Sequence, residues 1–380
     1  MEKICAIATR SLTIKTFFLD NLFYMVEKGY NISVICEFDA DLAKILDGKI
    51  KYIPVDMKRG NISVFKLIKY IYIFKRIFDK EKFDLIQYAS SNASLYASIA
   101  GKLANIKNRI CCEWGYTYLG YSGIKRIIYK TAEKIVCKFS TIAQPDSFSN
   151  LKFGIEEKLF PAKKAQVIWN GSASGVNLKR FDIKRKIDWS KEIKLKYSIP
   201  TDAFVFGFVG RLMRDKGINE LLEAFRKIDN EKVFLLLVGP IDELQDLDKK
   251  LIDWAFNNSH IIKTGLVSET EKYYSAMNFL VLPSYREGFG TVLLEAGALK
   301  VPSIVSNIRG PIDFVRDNEN GFICSVKSSN SLFEKMQLAL QLNEQTYNLL
   351  CDNVYNDVIT KYDSQIFKIK YYENKKEILE

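Results

Sequence analysis

Two carboxylates, Glu287 and Glu295, lie eight positions apart in the run Pro283-Ser284-Tyr285-Arg286-Glu287-Gly288-Phe289-Gly290-Thr291-Val292-Leu293-Leu294-Glu295-Ala296. The first falls in a glycine-flanked turn after the apolar stretch Phe279-Leu280-Val281-Leu282. The second falls about one turn into a helix that should open near Thr291. Gly288 and Gly290 let a backbone approach a ligand closely, and the N–H groups of a new helix start suit a phosphate. Strand, Gly-rich turn and helix start thus form a phosphate cradle, with the two carboxylates as acceptors for ligand hydroxyls on either side. Taken alone, the same spacing also describes an ordinary strand-to-helix loop with two solvated acids. Some 70 residues upstream, Phe204-Val205-Phe206-Gly207-Phe208-Val209-Gly210 is a second apolar strand ending in glycine. It runs into Arg211-Leu212 and Asp215-Lys216-Gly217 before a helical run from Ile218. Arg211 offers a planar fork for phosphate and Lys216 a mobile point charge.

The elements that must position these loops alternate along the chain. Residues 4–8, 32–36, 85–88, 109–112, 140–143 and 166–169 read as short strands, and 15–28, 64–78, 95–104 and 124–139 as helices. A second series follows with the strands at 204–209 and 233–238, the segment Lys263-Thr264-Gly265-Leu266-Val267, and the strand at 279–282. Such alternation predicts an α/β protein with doubly wound parallel sheets, whose ligands bind outside the carboxyl ends of the strands. The turn-rich segment 170–177 and the polar stretch 182–198, before Ile199-Pro200, read as the link between two domains.

A length of 380 residues and 48% hydrophobic content fit two domains with substantial cores. No window approaches the ~18–20 uninterrupted apolar residues of a membrane-spanning helix. Met1-Glu2-Lys3 and the short apolar run after it read as a first strand, not as a signal peptide. Seven cysteines, odd in number and without C-x-x-C spacing, read as reduced and partly buried thiols. The single histidine, His260, reads as surface structure. Two D-x-D triplets, Asp39-Ala40-Asp41 and Asp246-Leu247-Asp248, lie away from the Glu287 loop and read as incidental; no metal site is expected. The absence of a Walker loop and of G-x-G-x-x-G argues against an NTPase or a nicotinamide enzyme.

A net charge of +11 asks for an anionic partner or surface. No zinc knuckle, RNA-binding signature or basic tail points to nucleic acid. The positive charge instead sits on two apolar helices. At 64–78, Leu67, Ile71, Phe74 and Phe78 form a stripe beside Lys66, Lys69, Lys75 and Arg76. At 124–139, Ile124, Ile127, Ile128, Ile135 and Phe139 lie against Lys125, Arg126, Lys130, Lys134 and Lys138. Each is either a core-packed helix with a solvated basic face or a helix that lies on an anionic membrane surface.

Taken together, V-G-R-L…D-K-G at 209–217, L-L-V-G at 236–239, T-G-x-V at 264–267, P-S-x-x-E-G-F-G-x-x-x-L-E-A at 283–296, and Gly310-Pro311…Asn320-Gly321-Phe322 resemble the retaining family-4 glycosyltransferases of GT-B fold, of the bacterial surface-polysaccharide type. The resemblance is strong over about 168–325 and collinear on either side. It implies two Rossmann-like domains facing a cleft. Residues 1–180 would form the acceptor side, with a C-terminal helix at 362–380 packing back on it, and 181–361 would bind a nucleotide sugar. The implied reaction is retaining transfer of a hexosyl or N-acetylhexosaminyl unit from a nucleotide-diphosphate sugar, most often UDP-linked, to an acceptor hydroxyl. Arg211 and Lys216 would hold the diphosphate, so that no metal or cofactor is needed. Glu287 would bind donor-sugar hydroxyls and help orient the reacting centre, and Glu295 would accept from the ribose. Gly210 and the backbone of Gly288, Phe289, Gly290 and Thr291 would meet phosphate and sugar, while Gly265, Leu266 and Val267 would border the base. The implied acceptor is a glycan growing on a polyprenyl diphosphate, for capsule or lipopolysaccharide. The implied place is the cytoplasm, peripheral at the inner face of the cell membrane.

Two departures stand out on the acceptor side. The loop Thr9-Arg10-Ser11-Leu12-Thr13 lacks the glycines that many relatives carry, leaving Ser11 as its candidate contact. At Cys112-Glu113-Trp114-Gly115, relatives often have His-Gly. Glu113 would contact a sugar hydroxyl or act electrostatically; Trp114 would stack on a sugar or stay in the core. A sugar-nucleotide epimerase of the same fold, which needs no acceptor, and a non-catalytic scaffold are the rival readings.

Overall fold

The central strands are unbroken apolar runs buried on both faces, as a parallel sheet covered by helices requires. The computed structural model describes residues 1–57, 63–241 and 246–380. The chain divides into two units: Met1–Ser174 with Gln365–Glu380, and Gly175–Ser364.

The first unit holds β1 (Lys3–Ala8), β2 (Asn31–Cys36), β3 (Lys51–Pro54), β4 (Leu85–Ala89), β5 (Asn108–Glu113) and β6 (Ile142–Pro145), in the parallel order β3-β2-β1-β4-β5-β6. Side chains alternate across the sheet. Cys5 and Ile7 of β1 join the core under the helices Val64–Glu81, Ser91–Leu103 and Gly123–Phe139, whereas Ile4, Ala6 and Ala8 face the helix Leu19–Glu27 and Phe367 and Tyr371 of the C-terminal helix Ser364–Leu379. Gln87 donates to the Tyr371 hydroxyl, and the ammonium of Lys375, itself fully buried, donates to Gln144 at 2.7 Å.

The second unit repeats the plan. It holds β7 (Phe204–Val209), β8 (Val233–Val238), β9 (Ile261–Lys263), β10 (Phe279–Leu282), β11 (Ser303–Ser306) and β12 (Gly321–Cys324), in the order β12-β11-β10-β7-β8-β9 around one core. In each sheet the winding direction reverses between two neighbours, β1/β4 and β7/β10. Loops leaving the carboxyl ends of such a pair diverge and leave a crevice.

Several local expectations need correction. The helix expected at 15–28 starts at Ser11, passes through a π-helical stretch over Ile14–Phe18, and continues as Leu19–Glu27. Residues 166–169 form no strand: the only pairing there is an Ala143–Ala165 bridge, and Trp169 sits at a φ of 51°. The polar stretch 182–198 is not a plain linker. It carries the helix Lys186–Lys196, whose Trp189 and Ile193 are buried one turn apart in the second core; two apolar residues among many charges leave almost no periodic signal. Both D-x-D triplets begin helices. Asp39 caps the helix Ala40–Leu46 through Leu42 N–H, and Asp248 caps Lys249–Asn257 through Lys250 and Leu251 N–H.

The two basic helices differ from their sequence pattern. Phe74 and Phe78 are buried as expected, but a second apolar face of Val64, Phe65, Ile68 and Tyr72 is exposed at the same helix's start. On Gly123–Phe139 the buried residues are Glu133, Val136 and Cys137, while Ile124, Ile127 and Ile128 point outward. Both helices pack against Ser91–Leu103, and both begin at the carboxyl edge of the sheet. Among the described residues, no helix is long and apolar enough to cross a membrane.

Burial lowers the Lys375 ammonium from 10.5 to about 8, the nearby Cys112 opposing the shift. The unfolded chain therefore holds a proton that the folded chain lacks between those values. Stability should rise with pH from about 8 to 10.5, and the gain should be lost as pH falls back through 8. Relative to a Lys375→Met variant, urea unfolding at a series of pH values should show this extra slope, worth on the order of 3 kcal/mol at most. Parallel curves for the two proteins would contradict it.

Candidate functional site

At the β7/β10 reversal, two loops separated by some 70 residues of sequence meet. The Lys216 ammonium lies 2.7 Å from Glu287 Oε1, which also accepts from Ser284 Oγ at 2.7 Å. The approach depends on Gly217, which caps the helix Ile218–Arg226 at a φ of 72°. A methyl group there would stand 2.1 Å from the Pro283 carbonyl oxygen. Three further contacts lock the loops: Tyr285 N–H donates to Asp215 O at 2.8 Å, Arg286 pairs with Asp215 at 2.8 Å, and the Tyr285 hydroxyl donates to Glu220 at 2.6 Å. Arg211 is exposed just beyond Gly210, whose N–H donates to Val238 O at 2.9 Å.

Beyond Glu287 the chain turns through Gly290 into the helix Thr291–Ala298. Gly288 carries its carbonyl so close to Gly310 that a methyl there would lie 1.9 Å from the oxygen, at a φ of 88°. That is the physical content of the Gly310-Pro311 pair. Phe289 is buried against Phe314 and Tyr362, so its ring belongs to the core and only its backbone faces outward chemistry. Glu295, one turn into the helix, accepts from the Tyr274 hydroxyl at 2.7 Å. Desolvation raises its carboxyl above the ordinary range, with the Tyr274 bond and the Arg180 charge drawing it back. Arg180 clamps the neighbouring segment, pairing with Glu271 at 2.9 Å and donating to Ser268 O and Thr270 Oγ1. Just before the clamp, Gly265 accepts from Gly239 N–H at 3.0 Å, Leu266 is 82% exposed, and Val267 packs on the core. The structure thus gathers Lys216 and Glu287 directly, with Glu295 on the helix Thr291–Ala298 that follows Glu287. Tyr274 and Arg180, which sequence did not single out, carry no local motif; only the fold brings them to this edge.

In the first unit, Ser11 is a brace. Its hydroxyl donates to Asp39 at 2.6 Å, and Asp39 pairs with Lys15. The Lys15 bond, the Ser11 bond and Leu42 N–H together hold the Asp39 carboxyl well below the usual range. Trp114 rests on Phe17 and Phe18, with ring centroids 5.0 and 4.9 Å away, and its remaining surface lines a pocket. Glu113 is buried, and its Oε1 accepts from the Cys137 thiol at 3.7 Å. Desolvation pushes its carboxyl up to about 7, against the bonds from Cys111 and Cys137. Ligand-type atoms of Cys111, Glu113 and Cys137 lie within 4.8 Å of one another. A structural zinc site takes four donors in deprotonated form, whereas the hydrogen bond with Cys111, then burial and the neighbouring acids, raise Cys137 and keep its proton on here. His260 sits over Phe234, at a centroid distance of 4.8 Å.

A crevice edged by cations, a helix start and two carboxylates lies where ligands bind in doubly wound α/β proteins, outside the carboxyl ends of the strands. Residues 190–353 match the family "Glycosyl transferases group 1". The chain is 29% identical over 347 residues to the capsular polysaccharide biosynthesis glycosyltransferase CapM of Staphylococcus aureus, covering 90% of this chain and 89% of that protein. It is 25% identical over 358 residues to the UDP-Gal:alpha-D-GlcNAc-diphosphoundecaprenol alpha-1,3-galactosyltransferase of Escherichia coli, covering 90% and 88%. Among solved structures, a glycosyltransferase from Rickettsia africae superimposes with a TM-score of 0.82 at 20% identity, covering 100% of this chain and 99% of the other. The fold is GT-B. The protein is an enzyme, a glycosyltransferase.

Gly217→Ala tests the loop contact. The strained φ and the clash with Pro283 should lower stability by about 1–3 kcal/mol in urea titrations. By parting Lys216 from Glu287, the change should also lower turnover well beyond the loss of folded protein. Unchanged stability and turnover would show that the close approach is dispensable.

Proposed function

We propose that this enzyme transfers a sugar, with retention, from a UDP-linked donor to a hydroxyl of a polyprenyl-diphosphate-linked glycan in cell-surface polysaccharide synthesis. The observation that carries this is the meeting of Lys216 and Glu287 at the β7/β10 crevice, beside the Thr291 helix start. Positive charge and helix N–H groups in one place suit a departing diphosphate, and stabilising that leaving group is the largest task in such a transfer. Lys216 and Arg211 hold the diphosphate, Glu287 orients the donor sugar through its hydroxyls, and Glu295 accepts from the ribose. The bond from the anomeric carbon to phosphate breaks as the acceptor oxygen bonds on the same face. The acceptor proton passes to a phosphate oxygen of the leaving group. The lipid-linked acceptor and the UDP donor are supported by the name of the E. coli relative, and the surface-polysaccharide role by that of the S. aureus relative. Membership of glycosyltransferase family 4 rests on the same motifs.

The first unit takes the acceptor side in this reading, and the enzyme associates peripherally with the membrane from the cytoplasm. Phe65 and Ile124 are 87% and 76% exposed on helix starts at one edge of the sheet, beside exposed Lys66, Lys69, Lys125 and Arg126. Apolar side chains set among cations suit a surface of anionic lipid.

Arg211→Ala and Lys216→Ala should each lower turnover by roughly a hundredfold or more, measured as UDP release in the presence of lipid-linked acceptor. Glu295→Ala should chiefly weaken donor binding, by ~1.5–3 kcal/mol, and Glu287→Ala should depress turnover more than affinity. Near-normal rates in both cation variants would sink the assignment.

Vesicle flotation tests the membrane contact. Binding to vesicles containing anionic lipid should exceed binding to neutral ones and fall with salt. A Phe65→Ser, Ile127→Ser double variant should float less at every salt concentration. Equal partition onto neutral and anionic vesicles, or onto neither, would contradict the proposal.

A further inference from the structure

Two ion pairs stand side by side where the loops after β7 and β10 meet, and only the inner one, Lys216 with Glu287, enters the donor chemistry proposed above. The outer one joins Arg286 Nη2 to Asp215 Oδ2 at 2.8 Å. The four residues are sequence neighbours on both loops, Asp215-Lys216 facing Arg286-Glu287, and the polarity alternates. Slipping one loop by a residue would set Lys216 against Arg286, or Asp215 against Glu287, so the pattern accepts a single register. Arg214–Lys216 form one turn of 3-10 helix, in which successive side chains leave about 120° apart. Asp215 and Lys216 therefore hold different partners without competing.

With side chains 39% and 24% exposed, the outer pair adds little to stability as a single ion pair. It is also only half made. Among the described residues, Asp215 Oδ1 and Arg286 Nε are shut off from solvent and have no hydrogen-bond partner. Nε and Nη2 lie on one side of the guanidinium, spaced to meet both oxygens of a carboxylate. A small rotation of either side chain would turn the one bond into the two parallel bonds of a bidentate pair and satisfy both orphaned atoms. Two anchors already bring the chains into line for it: Tyr285 N–H donates to Asp215 O at 2.8 Å, and the Tyr285 hydroxyl donates to Glu220 at 2.6 Å.

We propose that Asp215 and Arg286 are positioning residues for the donor: when a diphosphate draws Lys216 away from Glu287, their pair closes to the bidentate form and keeps the two loops in register. This rests on the donor reading of Lys216 given above. Arg286 then acts through Asp215 and not through its own charge on the phosphate. The consequence is a sign. Neutralising Asp215 removes a negative charge near an anion, so charge alone would tighten binding, whereas loss of a positioning pair weakens it.

Isothermal titration calorimetry with UDP on the full chain tests this, once circular dichroism has shown each variant to be folded. Asp215→Asn and Arg286→Gln should each weaken UDP binding by about tenfold, the scale of one charge-assisted hydrogen bond. The double variant should match the weaker single one to within about twofold, because the two residues act as one unit. Arg286→Lys, which keeps the charge and cannot make the fork, should behave as Arg286→Gln does. Asp215→Ser replaces Asp215→Asn if that protein does not fold. Tighter binding in the Asp215 variant, additive losses in the double variant, full rescue by lysine, or unchanged binding in both folded single variants would overturn the inference. Lys216→Ala, run alongside, separates the two claims. If it weakens UDP binding and the pair variants do not, the pair inference alone fails. If it leaves UDP binding unchanged, or if the wild type does not bind UDP, the donor reading fails and takes the inference with it.

Discussion

The contact between Gly217 and the Pro283 carbonyl sets the geometry of the β7/β10 edge. Neighbouring strands whose winding reverses send their loops apart, so something must draw those loops back together to build a site. Here the missing side chain at Gly217 does so, and Lys216 lands on Glu287 at 2.7 Å. The pair is partly screened, with side chains 23% and 13% exposed, so it holds the loop poised without the high cost of full desolvation. Under the proposed function, a diphosphate would compete for the same ammonium and release Glu287 to the sugar.

The two units share a strand order and differ in electrostatics. In the second, cations and a helix start edge the β7/β10 crevice. In the first, carboxyl groups and hydroxyls line the pocket past β4 and β5, and the positive charge has moved outward onto helix surfaces that also expose isoleucine and phenylalanine.

The loops of the β7/β10 edge were plain in the sequence and the pocket of the first unit was not, for a physical reason. The loops around the β7/β10 crevice are built from glycines with forced backbone positions, Gly217 and Gly310, and from charges one to a few residues away, so the whole constellation lies in short motifs. The β7 and β10 runs are equally plain because strands buried on both faces are continuously apolar. In the first unit the pocket walls come from three separate segments, and Glu133 looks like one more polar residue on a basic helix. Ile124, Ile127 and Ile128 fit the period of a buried stripe, yet the helix is rotated to bury Glu133, Val136 and Cys137 instead. Tyr274 reaches Glu295 from a different element. Trp189 and Ile193 are too few to reveal their helix among lysines. Periodicity reports that a helix has an apolar face; it does not report which neighbour, or which surface, covers it.

The central claim is that the donor diphosphate sits at the β7/β10 reversal. A crystal structure of the protein with UDP bound tests it most directly. The account predicts the diphosphate between the Gly210–Arg211 turn and the start of the helix at Thr291, with Lys216 Nζ moved from Glu287 to a phosphate oxygen and the ribose within hydrogen-bond reach of Glu295. Nucleotide density away from this edge, or at it with the Lys216–Glu287 pair intact and no phosphate near either cation, would contradict the account.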